Sequence, residues 1–131
     1  ILARDLYSAS GKHLQKERWA GAIDVAGSHT LANICAAMQH GGVVTACGLA
    51  QGMDFPATVA PFILRGVSLL GIDSVYQPKH KREQAWQALA KEFDMQLLNS
   101  ITTEITLDQV IEHASLLLDG KIAGRLLVNM S

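Results

Sequence analysis

Two short apolar stretches that each run into small residues and glycine constrain the fold of this chain most strongly. Residues 19–27 read Trp-Ala-Gly-Ala-Ile-Asp-Val-Ala-Gly, and residues 42–52 read Gly-Val-Val-Thr-Ala-Cys-Gly-Leu-Ala-Gln-Gly. In an open parallel sheet, ligands bind beyond the carboxyl ends of the strands, where small residues let the backbone approach closely. The pattern predicts half of a nucleotide-binding sheet, with an ordinary tight turn as the alternative interpretation of residues 48–50.

The chain lacks the motif that usually completes such a sheet. No G-x-G-x-x-G and no P-loop occurs in its 131 residues, so it contains no phosphate-cradling turn of either kind. It begins with Ile1 rather than methionine, and we expect the rear part of a larger enzyme. A net charge of -1 offers no electrostatic footprint for nucleic acid. Apolar runs too short for a bilayer and two cysteines in apolar segments predict a cytoplasmic protein without a membrane partner, with both thiols buried and reduced.

Hydrophobic periodicity predicts alternating strands and helices. Ser28 is the predicted N-cap of a helix with Leu31 and Cys35 on one face, ending at Gly41-Gly42. The apolar run 43–47, bounded by glycines, is typical of a strand covered on both faces. Strands are predicted at residues 1–2, 22–25, 43–47, 67–72, 104–107 and 125–129, and further helices at 59–64, from Pro78 and from Val110.

The last part of the chain is predicted to be a β-α-β piece after a linker at residues 95–102. Thr106 and Gln109 match a capping box that opens its helix. The first long helix is predicted to have an apolar face, and the second is predicted to turn its apolar face inward. These faces comprise Trp86, Leu89, Ala90 and Phe93 in the first helix and Val110, Ala114, Leu117 and Leu118 in the second.

The side chains that carry chemistry form no catalytic or metal motif in the sequence. The five histidines do not fall at metal-ligand spacing with each other or with the cysteines. Cys47 lies at a strand end, where a nucleophile would sit, but no neighbouring base activates it, which favours a packed core thiol. Arg4 follows a strand tail and can clamp a phosphate or simply be solvated. The cations of residues 79–82 oppose a helix dipole, but an exposed charge at a helix start costs little, which favours a solvated face.

Three segments resemble a known family. Residues 19–27, residues 46–50 and above all residues 61–75, Pro-Phe-Ile-Leu-Arg-Gly-Val-Ser-Leu-Leu-Gly-Ile-Asp-Ser-Val, resemble the zinc-free quinone oxidoreductases of the medium-chain dehydrogenase/reductase superfamily. Within that superfamily, the chain is most similar to the NADPH-dependent acryloyl-CoA reductase branch. The resemblance runs from Ile1 to the C-terminus and is most specific between Phe62 and Ser74.

The resemblance implies an α/β fold with a cofactor domain inserted into a GroES-like catalytic domain. Residues 1–95 would form the rear part of the NADP-binding Rossmann domain, a partial parallel sheet flanked by helices. Residues 96–131 would form the C-terminal segment of the catalytic domain. The glycine-rich loop and the tyrosine of the substrate pocket would lie upstream of Ile1.

The same resemblance assigns cofactor contacts to four residues and no catalytic residue or metal ligand. Arg4 matches the arginine near the adenine and 2′-phosphate end of NADP. Leu49, Ile63 and Ser74 match positions that line the nicotinamide side, largely through backbone atoms. Gly120 stands where relatives often carry an asparagine that reaches the cofactor.

The implied activity is reduction of an activated carbon–carbon double bond, such as that of an acryl thioester of coenzyme A, by NADPH. The cations at residues 79–82 would then meet phosphates of coenzyme A. A quinone oxidoreductase on the same fold is the alternative within enzymes, and a non-catalytic nucleotide-binding module is the alternative if the chain stands alone. Residues 67–72 would lie near an edge of the cofactor sheet, where relatives pair about a two-fold axis, so we expect the full-length protein to be a homodimer. We expect the 131-residue chain alone to be inactive.

Overall fold

The chain divides into two units, one ending at Gln77 and the other beginning at Pro78. The structure, a computed structural model, describes residues 5–130. Arg4 and the predicted strand tail at Ile1-Leu2 lie outside the described residues. The long helix after Pro78 belongs to the second unit of this chain. The boundary expected near residue 95 concerns the domains of a longer protein and stays a prediction.

A three-stranded parallel sheet forms the centre of the first unit. Its strands are β1 (Trp19–Asp24), β2 (Met38–Ala46) and β3 (Ser68–Gly71), in the order β1-β2-β3. Helices α1 (Asp5–Ser8), α2 (Ser28–Ala36) and α3 (Ala60–Arg65) precede or connect them. The parallel pairing confirms the predicted fold class, because strands joined by helices return in the same direction.

One face of this sheet carries the core. The buried core residues are Leu31, Cys35, Met38, Val44 and Val67, and half-buried Trp19, Ala22, Ile34, Phe62 and Leu69 pack against them. The opposite face is open in the described chain, with Ile23 79% and Leu70 51% exposed. The expectation that β2 is covered on both faces is therefore wrong for this chain, because α2 and α3 pack on the same side of the strand.

The predicted end of α2 at Gly41-Gly42 is also wrong. The helix ends at Ala36, and β2 begins at Met38, so both glycines lie inside the strand. Gly41 has a φ of 71°, and a Cβ on Gly42 would lie 2.9 Å from Met38 Cε. The register between β1 and β2 shifts at this point. The glycines thus accommodate an irregular strand start rather than a helix end.

The second unit contains a two-stranded parallel sheet. Its elements are α4 (Lys79–Glu92), α5 (Met95–Ser100), β4 (Thr102–Thr106), a 3-10 turn (Leu107–Gln109), α6 (Val110–Leu118) and β5 (Arg125–Asn129). β4 pairs with β5 along its whole length, which confirms the predicted β-α-β piece. The capping box of Thr106 and Gln109 is also confirmed. The predicted linker is instead helix α5, because the carboxylate of Asp94 accepts hydrogen bonds from two N–H groups of its first turn.

The apolar faces of the two long helices are exposed in the described chain. Trp86 of α4 is 67% exposed, and Leu118 of α6 is 89% exposed. Ile105 is the one buried hydrophobic residue among the described residues of this unit. The predicted inward packing of the α6 face is therefore wrong for this chain, since two strands and three helices of its second unit enclose almost no core. Among residues 5–130, no helix is long and apolar enough to cross a membrane.

Candidate cofactor site

The turns that follow β1 and β2 lie against each other at the carboxyl edge of the sheet. The N–H of Cys47 donates to Asp24 O at 2.9 Å, and the N–H of Ala50 donates to Val25 O at 3.2 Å. Further along, the N–H of Gln51 donates to Ala26 O at 2.7 Å. These bonds extend the pairing of the two strands into their turns. The predicted convergence of two strand ends is therefore present.

Glycines allow this close approach. A Cβ on Gly48 would lie 2.6 Å from Val25 O, closer than real Cβ contacts permit. Gly27 has a φ of 73°, and a Cβ there would collide with the carbonyl oxygen of Gly52. The small residues are thus required by the packing of one turn on the other. The contact of these glycine-rich turns with a ligand stays a prediction.

The start of α2 differs from the sequence-based expectation. Gly27, not Ser28, is the N-cap, and no side chain caps the helix. Ser28 has a φ of 47°, and its hydroxyl donates to Asp54 Oδ2 at 3.0 Å. A side-chain bond between Thr30 and Gln51 joins the same two regions. The hydroxyl of Ser28 therefore holds the loop after β2 instead of capping the helix.

Asp24 is a buried carboxylate at the edge of this site. Only 2% of its surface is exposed, and its Oδ2 accepts a hydrogen bond from the N–H of Gly27 at 2.9 Å. Its Oδ1 has no hydrogen-bond partner among the described residues. The sequence indicated only that an aspartate lies near the end of the predicted strand at residues 22–25. The signal for a structural role was its place directly before a Val-Ala-Gly turn, whose N–H groups need acceptors.

The two cysteines occupy different environments, and both are free. Burial and, secondarily, the nearby Asp24 carboxylate raise the pKa of the Cys35 thiol to about 11. Cys35 therefore stays protonated near neutral pH, as a packed core thiol should. Cys47 is exposed, so its predicted burial is wrong for this chain. It lies just past the end of β2, where its thiol donates to Asp24 O at 3.4 Å.

The structure places the predicted nicotinamide-side residues on exposed surface of the first unit. Leu49 lies in the turn after β2 and is 57% exposed, and Ile63 lies in α3 and is 73% exposed. Ser74 is exposed and follows β3. Because Ala46 and Gly71 are partners in the β2–β3 register, Leu49 and Ser74 follow the same edge of the sheet. Their contacts with a cofactor stay predictions.

Arg4 and Gly120 are the two remaining positions that the family resemblance relates to the cofactor. Arg4 lies outside the described residues, and its contact with the 2′-phosphate stays a prediction. Gly120 follows α6 with a φ of 67°, a left-handed conformation that favours glycine. Among the described residues, no group of three or more His, Cys, Asp or Glu side chains is arranged to hold a metal ion.

Known proteins match the whole chain. It is 41% identical over 132 aligned residues to the acrylyl-CoA reductase AcuI of Ruegeria pomeroyi. It superposes on Escherichia coli YhdH with bound NADPH with a TM-score of 0.89 and 43% identity, covering 99% of this chain. It superposes on Bacillus subtilis YhfP with bound NAD with a TM-score of 0.83 and 40% identity, covering 96% of this chain. No protein-family model matches.

The matched relatives are much longer than this chain. It spans 40% of the length of AcuI and of YhdH, and 39% of that of YhfP. The match lies in their C-terminal portion. The resemblance predicted from residues 19–27, 46–50 and 61–75 is thereby confirmed.

Proposed function

Because this chain belongs to the acrylyl-CoA reductase and quinone oxidoreductase branch of the medium-chain dehydrogenase/reductase superfamily, we propose that it is the C-terminal part of an NADPH-dependent reductase. The observation that carries the proposal is the joined carboxyl edge of β1 and β2 in a fold that matches NADPH-bound YhdH at 43% identity. Parallel α/β sheets bind nucleotides at this edge.

The first unit leaves room for a dinucleotide at the positions predicted to contact the nicotinamide. Leu49, Ile63 and Ser74 are exposed, so no part of their own unit covers the surface that would receive the nicotinamide. When bound, NADPH supplies a hydride for the β-carbon of an activated double bond. Backbone groups at these three positions would orient the cofactor, and Arg4 would pair with its 2′-phosphate through a planar fork of donors. Positioning of this kind accounts for much of the acceleration in a two-reactant reaction.

We propose an enoyl thioester of coenzyme A as the acceptor. Such a substrate carries its own activating carbonyl, which hydrogen bonds can polarise without zinc. The identity to AcuI supports this choice, whereas the match to YhfP, a candidate quinone oxidoreductase, supports a quinone as the second choice. A cytoplasmic location is part of the same proposal.

The test is NADPH oxidation by the longer protein that contains this chain, with acryloyl-CoA and a simple quinone assayed side by side. The expected result is turnover of the thioester with NADPH but not with NADH, which is the control cofactor. Turnover of the quinone alone would overturn the substrate and keep the reductase. A protein that binds nucleotide but oxidises NADPH with neither acceptor would favour the non-catalytic module. The 131-residue chain alone is expected to be inactive.

We further propose that the protein is a homodimer that pairs through β3. The sheet order leaves β3 at an edge in this chain, and Leu70 on its open face is 51% exposed. Edge strands with apolar side chains are favourable sites for pairing with a second copy. Sedimentation equilibrium of the longer protein should give the dimer mass, and a monomer at every concentration would contradict the proposal.

A further inference from the structure

Two side chains, Ser28 and Asp54, tie the loop after β2 to the first turn of α2. Ser28 is 8% exposed, and its hydroxyl donates to Asp54 Oδ2 at 3.0 Å across 26 positions of the chain. A hydroxyl that donates to a carboxylate forms a charge-assisted hydrogen bond, which is stronger than one between neutral groups. A Cβ on Gly52 would lie 2.7 Å from Asp54 Oδ1 and 3.2 Å from Ser28 Cβ, so glycine lets the pair meet. We call this pair the Ser28–Asp54 clasp.

The backbone of Ser28 has an unusual conformation at the clasp. Its φ is 47°, and it is the one non-glycine residue with a positive φ among the described residues. Side chains other than glycine, asparagine and aspartate rarely adopt this left-handed conformation. The Ser28 hydroxyl does not cap α2, so the helix gives no reason for it. Residues in such conformations persist where the surrounding structure fixes them, often at functional sites. The hydrogen bond that this side chain makes instead is the clasp.

The clasp holds one side of a short turn at the carboxyl edge of the sheet. The N–H of Gly52 donates to Leu49 O at 3.1 Å and closes the turn at residues 49–52. Backbone hydrogen bonds to the residues after β1 hold the turn on that side. On the side of α2, the turn and the loop that leaves it are held by the side-chain bond between Thr30 and Gln51 and by the clasp. Loss of the clasp should therefore displace the turn without detaching it from β1.

We propose that Ser28 and Asp54 are positioning residues for hydride transfer, because the clasp sets the position of the 49–52 turn. The inference rests on the proposed function, in which backbone groups at Leu49 line the nicotinamide. Leu49 is 57% exposed and follows the edge at which parallel sheets bind nucleotides. Hydride transfer requires reacting atoms about 3–3.5 Å apart, and a misplacement of about 1 Å can slow a reaction a hundredfold. A small displacement of this turn would therefore slow the transfer while NADPH still binds.

The experiment measures a single turnover of NADPH oxidation by the longer protein, with whichever acceptor it reduces. Asp54→Ala removes the acceptor of the clasp at an exposed position. The rate constant should fall about tenfold, with the amplitude unchanged and the Kd for NADPH within about twofold. A displaced turn lowers the rate constant, whereas partial unfolding lowers the amplitude. This measurement therefore separates positioning from a merely structural role.

Three further variants test whether the hydrogen bond itself is responsible. Asp54→Asn keeps an oxygen that can accept from Ser28, so its rate constant should stay within about twofold of the unmodified protein. Ser28→Gly removes the hydroxyl but favours the left-handed backbone, and it should still lose about tenfold. The double variant, Ser28→Gly with Asp54→Ala, should be no slower than the slower single variant, because both remove the same contact. Multiplying losses, or an equal loss in Asp54→Asn, would overturn the proposal.

A matched control and the parent protein complete the test. Glu112→Ala removes an exposed carboxylate of α6 in the second unit and should leave the rate constant unchanged. An unchanged rate constant in Asp54→Ala, or a loss of amplitude alone, overturns the proposal. If Asp54→Ala fails to fold, Ser28→Gly decides by the same criteria. A parent that oxidises NADPH with neither acceptor overturns the proposed function and this inference together, whereas an active parent with unaffected variants overturns this inference alone.

Discussion

The two units of the chain use similar apolar patterns with different results. In the first unit, Cys35, Met38 and Val44 have no exposed surface. In the second unit, Trp86 is 67% exposed and Ile111 is 83% exposed. Three paired strands give the helices of the first unit a surface wide enough to pack on, whereas the second unit offers two strands. An amphipathic helix becomes part of a core only where its own unit supplies a matching apolar surface.

The largest expected difference is between the stability effects of shortening one side chain to alanine in each of the two units. Met38→Ala should lower the free energy of unfolding by about 2–5 kcal/mol, because it leaves a cavity in a closed core. Leu118→Ala in α6 should change it by less than about 0.5 kcal/mol, because Leu118 is 89% exposed. Urea unfolding of both variants measures the two effects. Equal destabilisation would show that Leu118 is buried in the protein as it exists in solution.

A smaller effect is expected when alanine replaces Gly48 in the turn after β2. Gly48→Ala should cost about 1–3 kcal/mol of stability, because its Cβ would overlap the Val25 carbonyl at the joined turns. Gly71→Ala is the matched control, since a Cβ there meets nothing within 4 Å. Thermal unfolding should therefore separate the two variants. A tolerated Gly48→Ala would mean that the turns after β1 and β2 are less closely packed than described.

The stability of the first unit should depend on pH because the thiol of Cys35 is buried in its core. Burial, with a contribution from Asp24, raises the pKa of Cys35 from 9.0 to about 11 in the folded chain. The unfolded chain ionises this thiol first, so stability is complete below pH 9 and falls as the pH rises toward 11. Unfolding midpoints measured across that range should decline less steeply in Cys35→Ala. Parallel curves for the two proteins would rule out the thiol as the cause.

The smallest effect is expected on the surface of the second unit. Lys79 Nζ lies 3.5 Å from Glu83 Oε1, one turn further along α4, and the two side chains are 89% and 55% exposed. Exposed pairs of this spacing contribute about 0.3–0.5 kcal/mol, and salt weakens them. Lys79→Ala should therefore lower stability by no more than this at low ionic strength. A loss that persists in molar salt would point to a contact other than this ion pair.

The sequence predicted the positions of helices and strands more accurately than the burial of their side chains. The predicted strand at residues 125–129 matches β5, and the capping box at Thr106 was correct, because both depend on neighbouring residues. The end of α2 was wrong, because glycines that often end a helix here lie in a bulged strand. The predicted burial of Cys47 and the predicted inward face of α6 were also wrong, because burial depends on which surfaces the rest of the chain supplies.

The candidate site shows the same division. Residues 19–27 and 42–52 determined by themselves that two parallel strands end in glycine-rich turns, and the 61–75 segment determined the family resemblance. Only the tertiary structure decided that Gly27 and Gly48 are needed for one turn to pack on the other, and that Asn33 and Arg65 form hydrogen bonds to residues 7–15. Strand and turn preferences arise from local sterics, which the sequence carries directly. Hydrogen bonds between residues far apart in the chain depend on the folded arrangement, and no local pattern encodes them.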